Sequence, residues 1–282
     1  MVQTNPGFEL SYEFFPPRTD SARQKLGAAL SDLQDTAPEF FSVTFGAGGS
    51  TRDKTLDTVV DIQQHSPVDA CPHMTCVGAS IDEIVELLGT YREHGISRVL
   101  ALRGDQPSGM IGAGDCRHAN ELIEVIRQHF DNQFTIYVAA YPEAHPDSKS
   151  MRSEIEFFVR KMNAGAHCAI TQYFFNPDSY FHFVDLCQAQ GVEQPIIPGI
   201  MPISNFESLV RFSANCGAEI PRWMQKEMAS WDGDTEAQRE LGVDIVTRLA
   251  ARLIEHGAPG LHFYTMNQSG LTRRILDNLG MA

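Results

Sequence analysis

Residues 70–105 read ACPHMTCVGASIDEIVELLGTYREHGISRVLALRGD, and the order of elements in this stretch decides the fold. It opens on a short, nearly continuous apolar run, 70–76, as a parallel strand covered on both faces requires. Ser80 and Glu83 then stand three residues apart at the head of an amphipathic segment, the pattern of a capping box. Ile81, Ile84, Val85, Leu88 and Tyr91 fall on one helical face, and Gly95 supplies the stop. A second apolar run, 98–105, follows. Alternation of strand and helix implies a parallel sheet.

The pattern repeats outward in both directions. Runs at 9–14 and 40–45 precede the stretch, and runs at 134–141, 168–175, 195–201 and 261–265 follow it. Leu26, Leu30 and Leu33 mark an early helical face, and Leu241, Ile245, Leu249 and Leu253 a late one. Eight such units favour an α/β fold of the closed (β/α)8 or TIM-barrel type over an open doubly wound sheet. No internal repeat, low-complexity tract or long linker divides the chain, so one catalytic domain is expected over 1–282. The long piece before the last strand, holding Trp223 and Trp231, reads as an extra helical segment packed near the rim.

Composition narrows the class. With 43% hydrophobic residues a chain of 282 residues buries a sizeable core without a disulfide framework. Cys71, Cys76, Cys116, Cys168, Cys187 and Cys216 are scattered, several within apolar runs, and read as reduced thiols of a cytoplasmic protein. The opening MVQTNPGFEL lacks the basic and apolar regions of a signal peptide. No run approaches the ~20 apolar residues of a membrane span. A net charge of -14 without basic runs or basic helical faces speaks against nucleic acid and anionic membranes as partners.

In a barrel, chemistry gathers where the loops converge at the C-terminal ends of the strands. Those ends carry Glu13, Thr44, His73, Thr75, Arg103, Asp105, Tyr141, Glu143, Gln172 and Asn267, a ring too complete for mere solvation of strand ends. Lys25, Lys54, Lys149, Lys161 and Lys226 fall on helices or loop–helix junctions, which argues against a Schiff-base aldolase. No His-x-His lies on a strand, which argues against a barrel metallohydrolase. Cys71 and Cys76 stand an odd number of positions apart on one strand and face opposite sides, so no metal is expected there. Gly46-Ala47-Gly48-Gly49-Ser50 suits a phosphate cradle and a simple turn equally. Thr51 stands where G-x-G-x-x-G requires its third glycine, and no Walker A motif occurs, so any nucleotide is held by a non-Rossmann route.

Read along successive strands, these residues resemble the methylenetetrahydrofolate reductase family. The resemblance extends from Leu10 to Gly280. It rests on Tyr12-Glu13-Phe14-Phe15-Pro16-Pro17-Arg18, Ser42-Val43-Thr44-Phe45-Gly46-Ala47 and Pro72-His73-Met74-Thr75-Cys76. It continues through Ala101-Leu102-Arg103-Gly104-Asp105, Ala139-Ala140-Tyr141-Pro142-Glu143-Ala144-His145-Pro146 and Ile170-Thr171-Gln172-Tyr173-Phe174-Phe175. Ile197-Pro198-Gly199-Ile200-Met201-Pro202 and His262-Phe263-Tyr264-Thr265-Met266-Asn267 complete it.

The resemblance implies reduction of 5,10-methylenetetrahydrofolate to 5-methyltetrahydrofolate, with NADH or NADPH as hydride donor and FAD carrying the hydride in a ping-pong sequence. It further implies a supply of methyl groups for methionine synthesis and, by analogy, a homo-oligomer. Thr44, Phe45, Ala47, His73, Arg103, Gly104, Asp105, Ala119, Tyr141, His145, Arg160 and Lys161 match positions lining the flavin site. Arg103, Arg160 and Lys161 suit its pyrophosphate, although Arg160 and Lys161 also read as an ordinary helix C-terminal pair.

Glu13 matches the acid that protonates N10 and opens the imidazolidine ring, and flanking Phe14 and Phe15 would desolvate it. The simpler reading pairs Glu13 with Arg18. Asp105 matches a carboxylate that stabilises the iminium cation. Gln172 matches a residue that bonds the pterin and meets the nicotinamide, Thr44 also touches substrate, and Phe212 is either a stacking residue or ordinary core.

Three positions depart from the family pattern. Gln268 stands for an arginine and Ser208 for a glutamine of some bacterial relatives, both near the expected dinucleotide or folate contacts. Phe157 replaces a polar residue near the adenosine half, a change expected to weaken FAD binding. Ending just after the barrel, the chain is expected to lack a regulatory domain and to ignore S-adenosylmethionine. Two other readings keep the barrel: a flavin-independent or partner-fed folate reductase, and a non-catalytic folate- or flavin-binding relative. Glu13, Asp105 and Gln172 together argue against the latter, since binding alone needs no acid there.

Overall fold

Apolar runs of a few residues, covered on both sides, become the staves of a barrel. In the computed structural model, which describes residues 4, 7–45, 49–104 and 114–281, nine strands form one sheet. They are β1 (Glu9–Phe14), β2 (Phe40–Val43), β3 (Asp69–Thr75), β4 (Arg98–Leu102), β5 (Thr135–Ala140), β6 (Cys168–Thr171), β7 (Ile196–Ile197), β8 (Gly199–Ile200) and β9 (Gly260–Tyr264). All neighbouring pairs are parallel, in the order β7-β6-β5-β4-β3-β2-β1-β9-β8.

The ring closes through a single broken strand. β7 pairs with β6 and β8 with β9, and Pro198 separates them. Proline has no N–H to give a ladder, but its carbonyl accepts from the His262 amide at 3.0 Å. The expected strand 195–201 is therefore two short pieces. Three other runs also end early as strands: β2 at Val43, β4 at Leu102 and β6 at Thr171. Beyond β6 the apolar residues serve loop packing instead, with Phe174 stacked on Tyr180 at 5.7 Å.

Among the described residues ten helices accompany the strands: α1 (Asp20–Gln34), α2 (Gly49–His65), α3 (Ile81–Glu93), α4 (Ala119–Phe130), α5 (Met151–Asn163), α6 (Pro177–Ala189), α7 (Phe206–Cys216), α8 (Arg222–Ser230), α9 (Thr235–Glu255) and α10 (Gly270–Leu279). The Ser80–Glu83 capping box at α3 is present. The buried face of α3 is Ile84, Leu87, Leu88 and Tyr91; Ile81 is exposed because it sits in the first turn, beyond the strands. The excursion before the last strand holds α7, α8 and α9. Met224 and Met228 anchor α8, whereas Trp223 and Trp231 are half-exposed. No helix among the described residues is long and apolar enough to cross a membrane.

Two shells of core follow from the period of two along each strand. Leu10, Tyr12 and Phe14 point outward into the shell between strands and helices. Phe40, Cys71, Leu100, Tyr137, Cys168, Ile170 and Ile197 fill the barrel itself. Cys71 thus lies inside and Cys76 outside, as their odd spacing requires. At one end of the interior Arg98 bonds the Tyr137 hydroxyl at 2.9 Å and pairs with Asp69 and Glu39.

Candidate active site

β1 alternates outward aromatics with inward polar residues, so Ser11 and Glu13 project into the barrel. Glu13 lies in register between Ser42 of β2 and Tyr264 of β9. Its carboxylate is 3.3 Å from Nε2 of His73 and 4.0 Å from Nε2 of His262. On its far side the His262 ring meets the Ser11 hydroxyl, with Nδ1 2.7 Å from Oγ. Both histidine Nε2 atoms are buried without a well-aligned hydrogen bond among the described residues. Burial pushes the His73 imidazole down to about 4, against the pull of the Glu13 carboxylate, with His262 adding to the depression. His73 is therefore neutral at neutral pH and offers Glu13 a polar neighbour rather than a counter-charge.

The surroundings of Glu13 differ from the sequence expectation. Phe14 points away from it, edge-on to Phe41 at 5.4 Å, because adjacent strand residues face opposite sides. Phe15 is exposed. The partners of Glu13 are His73 and His262, not Arg18.

Beside this cluster opens a cavity of about 660 Å³. Thr75 lines it, two residues beyond His73 and on the same face of β3, which sets the Glu13–His73 pair next to its inner end. Leu102, Arg103 and Gly104 form one wall, Tyr141 and His145 another. Gly104 has φ +85, and a Cβ there would stand 2.8 Å from Cβ of Thr75, so the wall accepts no side chain at this turn. The outer end lies between α4 and α5. The positive end of α4 opens on it through His118, Ala119 and Asn120.

The cations are held in different ways. Arg103 bonds Asp147 at 3.0 Å, and this bond holds the exposed Asp147 carboxyl below its usual range. Lys161 donates to the Ala139 carbonyl of β5, and its ammonium lies 5.9 Å from the Tyr141 ring centroid. Burial lowers the Lys161 ammonium to about 8, with Glu154 opposing. Lysines placed on helices by their sequence position can thus still enter the site: Lys161 does so from the last turn of α5. Arg160, in the same turn, sits over the Phe157 ring at 5.4 Å.

Of the residues expected at the flavin site, Phe45, Arg103, Gly104, Ala119, Tyr141, His145, Arg160 and Lys161 line this one cavity. His73 is not in its lining but belongs to the Glu13 cluster. Thr44 is also outside the lining; its carbonyl accepts from the Thr55 hydroxyl at 3.0 Å. Ala47 and Asp105 lie outside the described residues, as does most of the 46–50 loop.

Gln172 lines a small adjoining pocket that shares Tyr141 with the larger one and includes Glu143. Burial raises the Glu143 carboxyl to about 7, opposed by the Glu219 amide that donates to it at 2.7 Å. Phe212 is 48% exposed on α7, so the core reading of it is wrong, and it lines neither pocket. Ser208 is bonded within its own helix by Arg211, and Gln268 is exposed. Asn267 bridges the backbone of Phe15 by two bonds of 2.9 Å, a structural clasp on the end of β1.

Sequence reasoning passed over His262, Ser148 and Glu154. His262 had a usable signal: a polar residue at inward parity in an otherwise apolar strand. Ser148 and Glu154, bonded at 2.5 Å at the cavity edge, had none, because a loop bend brings them together.

Residues 2–280 match the family model described as methylenetetrahydrofolate reductase. The 5,10-methylenetetrahydrofolate reductase of Escherichia coli (strain K12) is 38% identical over 281 residues, covering 100% of this chain and 94% of the relative. Methylenetetrahydrofolate reductase (NADH) 1 of Arabidopsis thaliana is 36% identical over 286 residues, covering 96% of this chain and 48% of the plant protein. Among solved structures, an uncharacterized protein from Clostridium thermocellum that binds two copies of 5-methyl-5,6,7,8-tetrahydrofolic acid superposes with a TM-score of 0.63 at 15% identity, covering 96% of this chain and 93% of that one. At that identity the likeness speaks to the barrel alone.

Proposed function

The chain belongs to the methylenetetrahydrofolate reductase family, and we propose that it reduces 5,10-methylenetetrahydrofolate to 5-methyltetrahydrofolate, with NAD(P)H as donor and FAD as resident cofactor in a ping-pong sequence. The observation that carries this reading is the adjacency of Glu13, a carboxylate inside the barrel mouth, to a long cation-lined cavity.

The cavity residues fit a flavin dinucleotide. Arg103, Arg160 and Lys161, with the N-terminus of α4, present positive charge for a pyrophosphate, and Tyr141, His118 and Phe157 present aromatic surface. The volume lies within the range of small-molecule sites, roughly 300–1,000 Å³. Bound there, FAD supplies the two-electron redox chemistry that no side chain can provide.

The chain's own residues supply the rest. Glu13 delivers a proton to N10 of the folate, and the imidazolidine ring opens to the iminium that accepts hydride. Neutral His73 and the buried ring of His262 flank the carboxyl group and hold it in place. Gln172, beside Tyr141, offers its amide to the pterin. Asp105 is assigned to stabilising the cation on the family resemblance alone. The same resemblance supports methyl supply for methionine synthesis and a homo-oligomer, and the six scattered cysteines, read as reduced thiols, support a cytoplasmic location.

The test is an anaerobic visible spectrum of the purified protein before and after NADH. Flavin bands that bleach, and recover on adding methylenetetrahydrofolate, are expected. Glu13→Gln should leave the bleaching near wild type and slow the recovery at least a hundredfold, the usual contribution of a general acid being about 10²–10⁴. A protein that stays colourless after incubation with FAD sinks the flavin assignment and favours direct or partner-fed hydride transfer. Unchanged recovery in Glu13→Gln at every accessible pH removes Glu13 from the mechanism.

A further inference from the structure

The helix α7 is tied to the barrel chiefly at its C-terminal end. Of its residues only Leu209 and Ser213 are buried, and Val210 and Phe212 are exposed. The end of the helix meets the loops after β5 and β6 at three points. The Tyr173 hydroxyl lies 3.1 Å from Oγ of Ser213 and accepts from the Cys216 thiol at 3.3 Å. Gly217, in the left-handed region at φ +78, packs so closely on Pro146 that a Cβ would stand 2.9 Å from its Cγ. Two residues on, the Glu219 amide donates to Oε2 of Glu143 at 2.7 Å. These contacts surround the small pocket that also holds Gln172. The Tyr173 amide donates to Oε1 of Gln172 at 3.0 Å, which leaves the Gln172 amino group as the donor for a ligand.

The third contact differs from the other two because it can carry charge. Oε1 of Glu143 is buried with no well-aligned hydrogen bond among the described residues, and the Ser179 hydroxyl of α6 steadies the carboxylate only weakly. The other titratable groups at the pocket are Tyr141, Tyr173 and Cys216, with Glu219 beside it, and none of these is a cation. Burial pushes the Glu143 carboxyl up to about 7, against the pull of the Glu219 amide and with the Glu219 carboxylate adding to the rise. In the opened loop the same group returns to its ordinary 4.5. Between those values the closed form binds more protons than the open one, so closure weakens as pH rises from about 4.5 to about 7 and is weakest above that.

We propose that Glu143 is a positioning residue for the folate half of the site: by clasping the Glu219 amide it draws the end of α7 onto Tyr173 and Gln172, and its negative charge loosens that grip. The inference rests on reading Gln172 as the pterin contact. Glu143 touches no substrate in this scheme and acts through the Tyr173–Gln172 segment. A neutral side chain of the same shape should therefore hold the segment better than the carboxylate does at neutral pH.

The experiment compares the full chain as wild type, Glu143→Gln and Glu143→Ala from about pH 5.5 to about pH 8, the span over which this carboxyl titrates. Hydrogen exchange of the 217–220 backbone, corrected for the intrinsic rate, reads the clasp, and steady-state kinetics reads KM and kcat for methylenetetrahydrofolate. Wild-type protection should fall by up to about tenfold per pH unit toward pH 7 and level off above it. Glu143→Gln keeps an oxygen acceptor without the charge, so its protection should stay flat and exceed wild type at least about tenfold at pH 7.5. Its KM for the folate should lie at least about twofold below wild type at that pH, the change falling on KM rather than kcat. A gain of this kind cannot come from a damaged fold. Glu143→Ala should lose the protection at every pH. Parallel pH profiles in wild type and Glu143→Gln, or protection gained with no change in KM, would overturn the positioning role while leaving the proposed reaction intact. Wild type that reduces no folate at any pH overturns that reaction, and the positioning role with it.

Discussion

His73 is where burial and charge meet most directly. Its imidazole is buried beside a carboxylate, and desolvation outweighs that attraction, bringing it down to about 4. A histidine that titrates near 6.5 when unfolded and near 4 when folded binds fewer protons in the native state between those values. Its contribution is therefore complete above pH 6.5 and is lost as pH falls toward 4. The full shift corresponds to about 3 kcal/mol. Denaturant titrations at pH 7 and pH 4.5 should show wild type losing about 2 kcal/mol more than His73→Gln; equal losses would show that His73 is not the group responsible. The residue scale is also where reading by neighbours in sequence misled. Phe14 and Phe15 flank Glu13 along the chain, but its spatial neighbours come from β3 and β9.

At the scale of elements, the short β7–Pro198–β8 segment closes the ring, and its tolerance is set by close approach. A Cβ on Gly199 would stand 2.2 Å from the Thr171 carbonyl oxygen and 2.7 Å from Cε2 of Tyr264. The same residue donates its amide to the Thr171 hydroxyl at 2.9 Å. Gly199→Ala must therefore push backbone apart, and a loss of at least about 3 kcal/mol is expected. Gly95, which ends α3, is the contrast. It has φ +77 but nothing within 4 Å of an added Cβ, so Gly95→Ala should cost only the left-handed backbone penalty, about 1–2 kcal/mol. Denaturation midpoints of the two variants decide the matter: similar shifts would mean that closure at Gly199 relaxes without cost. The Ser80–Glu83 box and the stop at Gly95 were legible because helix ends are local devices. The break at Pro198 was not, since an apolar run looks continuous until it must pair with two different neighbours.

For the whole molecule, we propose that residues 1–282 unfold as one cooperative unit. The helical excursion is tied down by buried Met224 and Met228, and the Gln238 side chain donates to the Met228 carbonyl at 3.2 Å. α9 carries Ile245, Val246, Leu249 and Leu253 into the outer core shell. Trp223 and Trp231 border α8, half-exposed, so their fluorescence reports on that excursion while far-UV circular dichroism reports on the barrel. The two denaturation curves should coincide. Fluorescence changing first would show α8 to be a separately melting piece.

The alternation of apolar runs with capped amphipathic segments carried the barrel, because strand and helix periodicities are written in nearest-neighbour order along the chain. The motif residues were legible for the same reason. Arg103, Tyr141, Arg160 and Lys161 sit at strand ends or helix turns whose positions the pattern sets. What folding added was the choice of partners. Glu13 meets His73 and His262 across the barrel, Ser11 backs His262, and the Phe157 ring comes nearly parallel to that of His118, with centroids 6.5 Å apart. Such pairings depend on the register of strands and on how far a helix stands above the rim. Both are set by packing between segments distant in sequence, and no local pattern encodes them.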